Sequence, residues 1–165
     1  MLMPRELAFA HAVNIRLRRL FISPGHNFFG HYGKPPGSHP MLEQDSIRCM
    51  AGAGIEGDRF FEFKPDYKGQ ITFFSEETYE SACTHFQVFD KSPSVFRRNV
   101  ITRDVDLRAL FDAEFEIQGV RFRGAGECAP CEWMNTAFAP GAEEFLKGQG
   151  GLRARILSSG TLRVL

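Results

Sequence analysis

Cys128 and Cys131 stand two residues apart in the stretch Gly124-Ala-Gly-Glu-Cys-Ala-Pro-Cys-Glu-Trp-Met134. Pro130 fixes one backbone dihedral and withholds a donor, so the loop that carries Cys131 is stiff. The preceding glycines permit a sharp turn or a close approach to a ligand. Trp133, the single tryptophan of the chain, follows at once. Four readings fit this spacing. A redox pair requires a strand-to-helix junction in a βαβ setting, whereas the flanking pattern reads as β-hairpins. Half of a zinc site requires a second Cys-x-x-Cys or two paired histidines, and Cys49 and Cys83 are far apart in sequence. A reactive thiol requires a positive neighbourhood, and arginines are plentiful. The plain alternative is two small buried side chains. Spacing alone leaves these open.

Two further constellations carry charge. Arg97-Arg98-Asn99 precedes an apolar strand. On a strand, neighbouring side chains point to opposite faces, so one arginine is expected in solvent, paired with a surface acid, and the other in a cleft. An inward arginine is costly unless it meets an anion or a carboxylate. Gly54-Ile-Glu-Gly-Asp-Arg59 reads as a turn in which Asp58 caps local backbone donors and Arg59 reaches elsewhere or helps to hold an anion. It lacks the Gly-Lys-Ser/Thr ending of a phosphate-binding P-loop. His26, His31 and His39 lie in a Gly- and Pro-rich loop over residues 23–40. Their spacings match no helical ligand pair, and they read as solvated or structural.

The elements that must position these residues are short. Residues 13–22, 45–50, 70–74, 114–117, 120–123, 152–157 and 161–165 carry strand patterns, and 93–102 begins as a short turn and becomes a strand; 114–117 and 120–123 form a hairpin around Gln118-Gly119. A helix is expected over residues 75–86, with Ser75 as its N-cap and Glu76 and Glu77 in its first turn. A single helical turn fits 106–110, a short helix 140–147, and a loop with aromatic anchors 60–67. This is a mainly β, barrel-like pattern with a few inserted helices. The 165 residues suffice for one domain with its own core, and 17 phenylalanines point to a dry one. Twenty basic residues balance twenty acidic ones, which argues against bulk binding to nucleic acid or to an anionic membrane. No apolar run spans a bilayer and no signal peptide is read. Four irregularly spaced cysteines point to free thiols and a cytoplasmic setting.

Taken in order, Gly54–Arg59, Gln70-Ile-Thr-Phe-Phe74, Arg97-Arg-Asn-Val-Ile-Thr102, Leu107-x-x-Leu110 with Phe115-x-Ile117, Glu127-Cys-Ala-Pro-Cys-Glu-Trp-Met134 and Gly150-Gly-Leu-Arg-Ala-Arg-Ile-Leu157 resemble the MOSC domain, named for the C-terminal domain of molybdenum cofactor sulfurases. The resemblance covers residues 13–165 as one domain and leaves 1–12 as an N-terminal extension. It implies a barrel of mostly antiparallel strands with short inserted helices. It implies molybdenum cofactor binding or a sulfur-carrier role, with Cys131 as persulfide carrier or molybdenum ligand. Gly57, Asp58, Arg59, Arg97, Arg98 and Asn99 match the family's other motifs, and Cys128 joins them as a cofactor-binding candidate. The partners implied are the cofactor or a sulfur donor or acceptor protein, with an electron donor if the chain is a molybdenum-dependent reductase of N-hydroxylated compounds. No pyridoxal-phosphate site is expected in this chain. The family's usual Gly-Asp turn after the last strand is not found before Leu165. The alternative from another class is a zinc-stabilised, non-catalytic binding domain.

Overall fold

A computed structural model describes residues 15–27 and 37–165. The proposed extension 1–12, the first residues of the strand expected from Val13, and His31 lie outside the described residues. Ten strands are described: β1 (Arg16–Ile22), β2 (Leu42–Gln44), β3 (Ser46–Met50), β4 (Gly54–Ile55), β5 (Ile71–Ser75), β6 (Val100–Arg103), β7 (Glu114–Ile117), β8 (Val120–Glu127), β9 (Leu152–Ile156) and β10 (Gly160–Arg163). Three helices accompany them: α1 (Glu76–Phe86), α2 (Trp133–Ala137) and α3 (Ala142–Leu146). Short 3-10 turns cover Pro93–Phe96 and Leu107–Leu110.

Seven strands form one curled sheet in the order β2-β1-β6-β5-β9-β8-β7, and β10-β3-β4 form a second. All pairings are antiparallel except β5 with β6. Parallel neighbours need a crossover connection, and α1 lies within it. The sheet is covered on both faces. On the inner face Ile71, Phe73, Val100, Phe115, Phe122 and Leu152 meet Ile47, Ile55 and Leu162 of the small sheet. On the outer face Phe21, Phe74 and Ile101 pack under the helices with Phe96, Met134 and Phe138. Double burial explains why Ile71 to Phe74 are buried without alternation, whereas β9 alternates cleanly.

Local chemistry acts where the pattern places it. The Ser75 side chain accepts from the Thr78 amide at 3.2 Å and opens α1. Asp106 caps the turn at Leu107–Leu110 in the same way. Gln118 and Gly119 both take positive φ, as a two-residue hairpin turn requires. Two expectations are corrected. Among the described residues there are ten strands rather than about eight, because β2 and β4 are too short to show a period. The last two strands lie in different sheets, with β10 paired to β3. Cys128–Cys131 does stand between a strand and a helix, β8 and α2. The strands flanking that helical connection, β8 and β9, are antiparallel, so the junction is not a βαβ unit.

Phe73 is fully buried, with ring centroids 5.6 Å from both Phe115 and Phe122. Phe73→Ala is expected to destabilise the fold by about 3–5 kcal/mol, read as a lower urea midpoint with an unchanged slope.

Candidate functional site

The candidate residues converge through a buried hydrogen-bond network. The Asp58 carboxylate accepts from the Ser23 amide at 3.0 Å, the Phe60 amide at 3.2 Å, the Arg59 guanidinium at 3.1 Å and the Asn99 side chain at 3.3 Å. Asn99 also donates to the Phe21 carbonyl, and its Oδ1 accepts from the amide and the hydroxyl of Thr72. The loop after β4, the end of β1, the start of β5 and the segment before β6 are thereby tied together. Gly57 supplies the positive φ of 83° that turns the chain into Asp58. As expected, Asp58 caps local donors, while Arg59 reaches away to the Arg97 carbonyl at 3.0 Å. Asp58 and Asn99 spend their side chains on this network and act as positioning residues.

The Arg-Arg-Asn segment departs from the strand alternation expected of it. Arg97 adopts φ 59° and ψ 40° as the cap of the turn at Pro93–Phe96, and β6 begins only at Val100. Both arginines are therefore about 8% exposed, and neither pairs with a surface acid. Arg97 donates to the His39 carbonyl, the Ser23 hydroxyl and the Gly25 carbonyl, and its guanidinium stands 5.9 Å from the Trp133 ring centroid. Arg98 donates to the carbonyls of Phe96, Cys128, Ala129 and Gly150. It therefore holds the cysteine loop to the segment before β9. Burial, then the charge of Arg59, pulls the Arg97 pKa down to about 10. Burial lowers Arg59 too, with Asp58 opposing and Arg98 adding to the fall. The same field acts on His26, lowered first by burial and then by Arg59; its ring stands edge-on to Phe60.

The cysteine loop is clamped at several points. The Cys128 amide donates to the Gly151 carbonyl at 2.8 Å, and the Met134 amide to the Cys131 carbonyl at 3.0 Å. A Cβ on Gly150 would lie 2.4 Å from the Cys128 carbonyl oxygen and 2.7 Å from the Pro130 ring, so only glycine permits this approach. Both thiols are half-buried. Burial raises the Cys131 pKa, outweighing a backbone hydrogen bond from Trp133 and the attraction of Arg98. The thiol is thus protonated at neutral pH in the protein alone, and the positive neighbourhood does not yield a thiolate. Cys49 and Cys83 are buried in the two separate cores, with Cys49 pushed up to about 12 by burial. Neither is placed to complete a zinc site with the loop cysteines. Among the described residues, no group of three or more metal-ligating side chains is assembled.

Two cavities open on Arg59, Phe60, Arg97 and Arg98. One, of about 240 Å³, has Cys131, Trp133 and Met134 in its wall. The other, of about 230 Å³, reaches Cys128, Thr72 and Arg153. Among the described residues, no carboxylate lines either one. Of the candidates named from sequence, Arg59, Arg97 and Arg98 line both chambers, Cys131 lines the first and Cys128 the second, while Gly57, Asp58 and Asn99 line neither. His26 lines the first chamber, while His39 serves Arg97 through its backbone. Sequence reasoning missed Ser23, Thr72 and Arg153 as participants. The polar face of β9, which carries Arg153 and Arg155, was the available signal for the last.

Asp58→Asn removes the carboxylate that balances Arg59. It is expected to cost about 3–5 kcal/mol and to lower Tm by about 2–4 °C per kcal/mol, read by thermal unfolding. In the protein alone, alkylation of Cys131 by iodoacetamide is expected to be slow at pH 7. It should still be climbing above pH ~9, past the midpoint of an ordinary thiol at about 8.5, when followed by peptide mass spectrometry.

Known proteins share this architecture. The YuaD protein of Bacillus subtilis superposes with a TM-score of 0.70 at 18% identity, over 91% of each chain. YiiM of Geobacillus stearothermophilus gives 0.65 at 10% identity, over 91% of this chain and 71% of its own. YiiM of Escherichia coli gives 0.59 at 15%, over 89% and 66%. These likenesses concern the fold. No curated protein matches the chain. Among the described residues, no helix is long and apolar enough to cross a membrane. The MOSC domain profile matches residues 21–164, nearly the whole chain and every motif gathered at the cleft, and the chain belongs to the MOSC domain family.

Proposed function

We propose that the cleft binds a molybdenum–pterin cofactor and that Cys131 is the protein's sulfur ligand to it. The observation that carries the reading is the position of Cys131 in the wall of a cavity shared with Arg59, Arg97 and Arg98. The residues present fit such a group. A thiol suits a soft metal, and coordination removes its proton outright, which offsets the raised pKa of the free side chain. Arg97 and Arg98 are buried, cationic and without a carboxylate partner, a state that an anionic ligand relieves. When bound, the cofactor supplies oxidation–reduction chemistry that no side chain here offers. The chain's own part is to seat it. Arg98 fixes the loop that carries Cys131, and the Asp58–Asn99–Thr72 network fixes Arg59 and Arg97. Phe96, Trp133 and Met134 supply the apolar part of the wall beside the sulfur.

A sulfur-carrier role uses the same atom, and the apolar wall beside Cys131 favours it as a second reading, since it would shelter a terminal sulfur. Cofactor, electron donor and sulfur-exchange partners all follow from these two readings.

The test is metal and mass analysis of wild-type protein and Cys131→Ala, both made in a host that synthesises the cofactor. Stoichiometric molybdenum is expected in the wild type, with at least a tenfold loss in the variant. One extra sulfur on Cys131 without molybdenum would favour the carrier role. Neither metal nor added sulfur in the wild type would sink both.

A further inference from the structure

Arg153 lies on β9 beside Thr72 of β5, its partner in register. Its stem lies beside Gly69, where an added Cβ would stand 3.3 Å from the Arg153 Cδ and 3.2 Å from the Tyr67 ring. Its Nε is buried without a hydrogen-bond partner. Among the described residues, the Arg153 guanidinium makes no ion pair or hydrogen bond. Arg155, on the same face of the strand, is paired with Asp66 at 2.8 Å. The sheet face is thus able to supply an acid two residues away, and supplies none to Arg153.

The second chamber is where Arg153 looks, and its wall also holds Arg59, Arg97, Arg98 and Cys128. Of the four guanidinium groups there, Arg59 is balanced by Asp58. Arg97 and Arg98 have turned their donors onto backbone carbonyls and the Ser23 hydroxyl. Arg153 alone keeps its whole fork for a ligand. A chamber lined by four guanidinium groups and, among the described residues, by no carboxylate favours an anion with several acceptor oxygens, and a guanidinium fork matches two oxygens of a tetrahedral group.

We infer that this second chamber is a binding site for a phosphate monoester and that Arg153 is its principal donor, with Arg59, Arg97 and Arg98 supplying field rather than contacts. The inference deepens the cofactor reading, since a pterin with a phosphate tail would reach from Cys131 into this chamber. A free phosphate monoester has the same chemistry and would use the same fork.

Inorganic phosphate is the probe, titrated calorimetrically at low salt into purified wild type, Arg153→Gln, Arg153→Lys and Arg155→Gln. Saturable one-to-one binding is expected in the wild type. Arg153→Gln should weaken it by about ten- to a hundredfold, the range of a charge-assisted hydrogen bond. Arg153→Lys, a point charge without the fork, should fall between, and Arg155→Gln, at a residue that lines neither chamber, should bind as the wild type does. Thermal unfolding controls for folding. Arg153→Gln removes an unpaired cation, so its Tm without phosphate should not drop, while the rise that phosphate gives the wild type should disappear. No saturable binding in the wild type, or unchanged affinity in Arg153→Gln, overturns the inference. Molybdenum content of the same proteins separates the two sources. Metal lost together with phosphate affinity assigns the chamber to the cofactor tail. Phosphate affinity lost while molybdenum stays assigns it to a free monoester. Arg153-dependent phosphate binding with no molybdenum in any preparation sinks the cofactor reading and leaves the anion site standing.

Discussion

Burial of the Arg97-Arg98-Asn99 side chains is the constraint to which the rest of the site answers. Two guanidinium groups at about 8% exposure cannot be left unpaired in a protein interior. The chain answers with oxygen atoms rather than with carboxylates. Arg97 draws on the loop after β1, and Arg98 on the loop after β8 and the segment before β9. Each arginine therefore fixes in space the loops whose carbonyls it needs. Asn99 does the same for β1 and β5. The cysteine loop owes its place to this demand as much as to the stiffness of Pro130.

Carbonyl oxygens satisfy donors without cancelling charge. That choice leaves the cleft cationic, so that burial first, and neighbouring guanidinium charges second, lower the pKa values of Arg97, Arg59 and His26. The one carboxylate in the network, Asp58, is divided among Arg59, Asn99 and two backbone amides. A binding site for an anion needs such an imbalance, and the two-sided core supplies the stability to hold it. The barrel interior and the helix-covered outer face each bury a phenylalanine cluster. Polar strain is concentrated at the part of the outer face that the helices leave open.

The same geometry assigns different tasks to residues of one type. Arg98 is a brace, with four backbone acceptors. Arg59 and Arg97 are partly braces and partly sources of field. Arg153 has no acceptor among the described residues. Cys128 and Cys131 are likewise separated in place, since each lines its own chamber.

Much of this protein was determined by local sequence. Ser75 opened α1, Gln118-Gly119 closed a hairpin, and alternation marked β7, β8 and β9, because capping, turn conformation and one-sided burial act within a few residues. The ordered motifs around Gly57, Arg97 and Cys131 identified the family before any coordinates did. Tertiary structure decided the rest. The direction of Arg97 and Arg98 followed from a left-handed residue at the end of a 3-10 turn, which no alternation rule anticipates. The assignment of β10 to the small sheet, and the appearance of β2, β4 and α2, depended on distant partners. The protonation of Cys131 was set by burial against Arg98, and the role of Arg153 by what its neighbours left unpaired. These properties arise from contacts between residues remote in the chain, and only the folded protein brings those residues together.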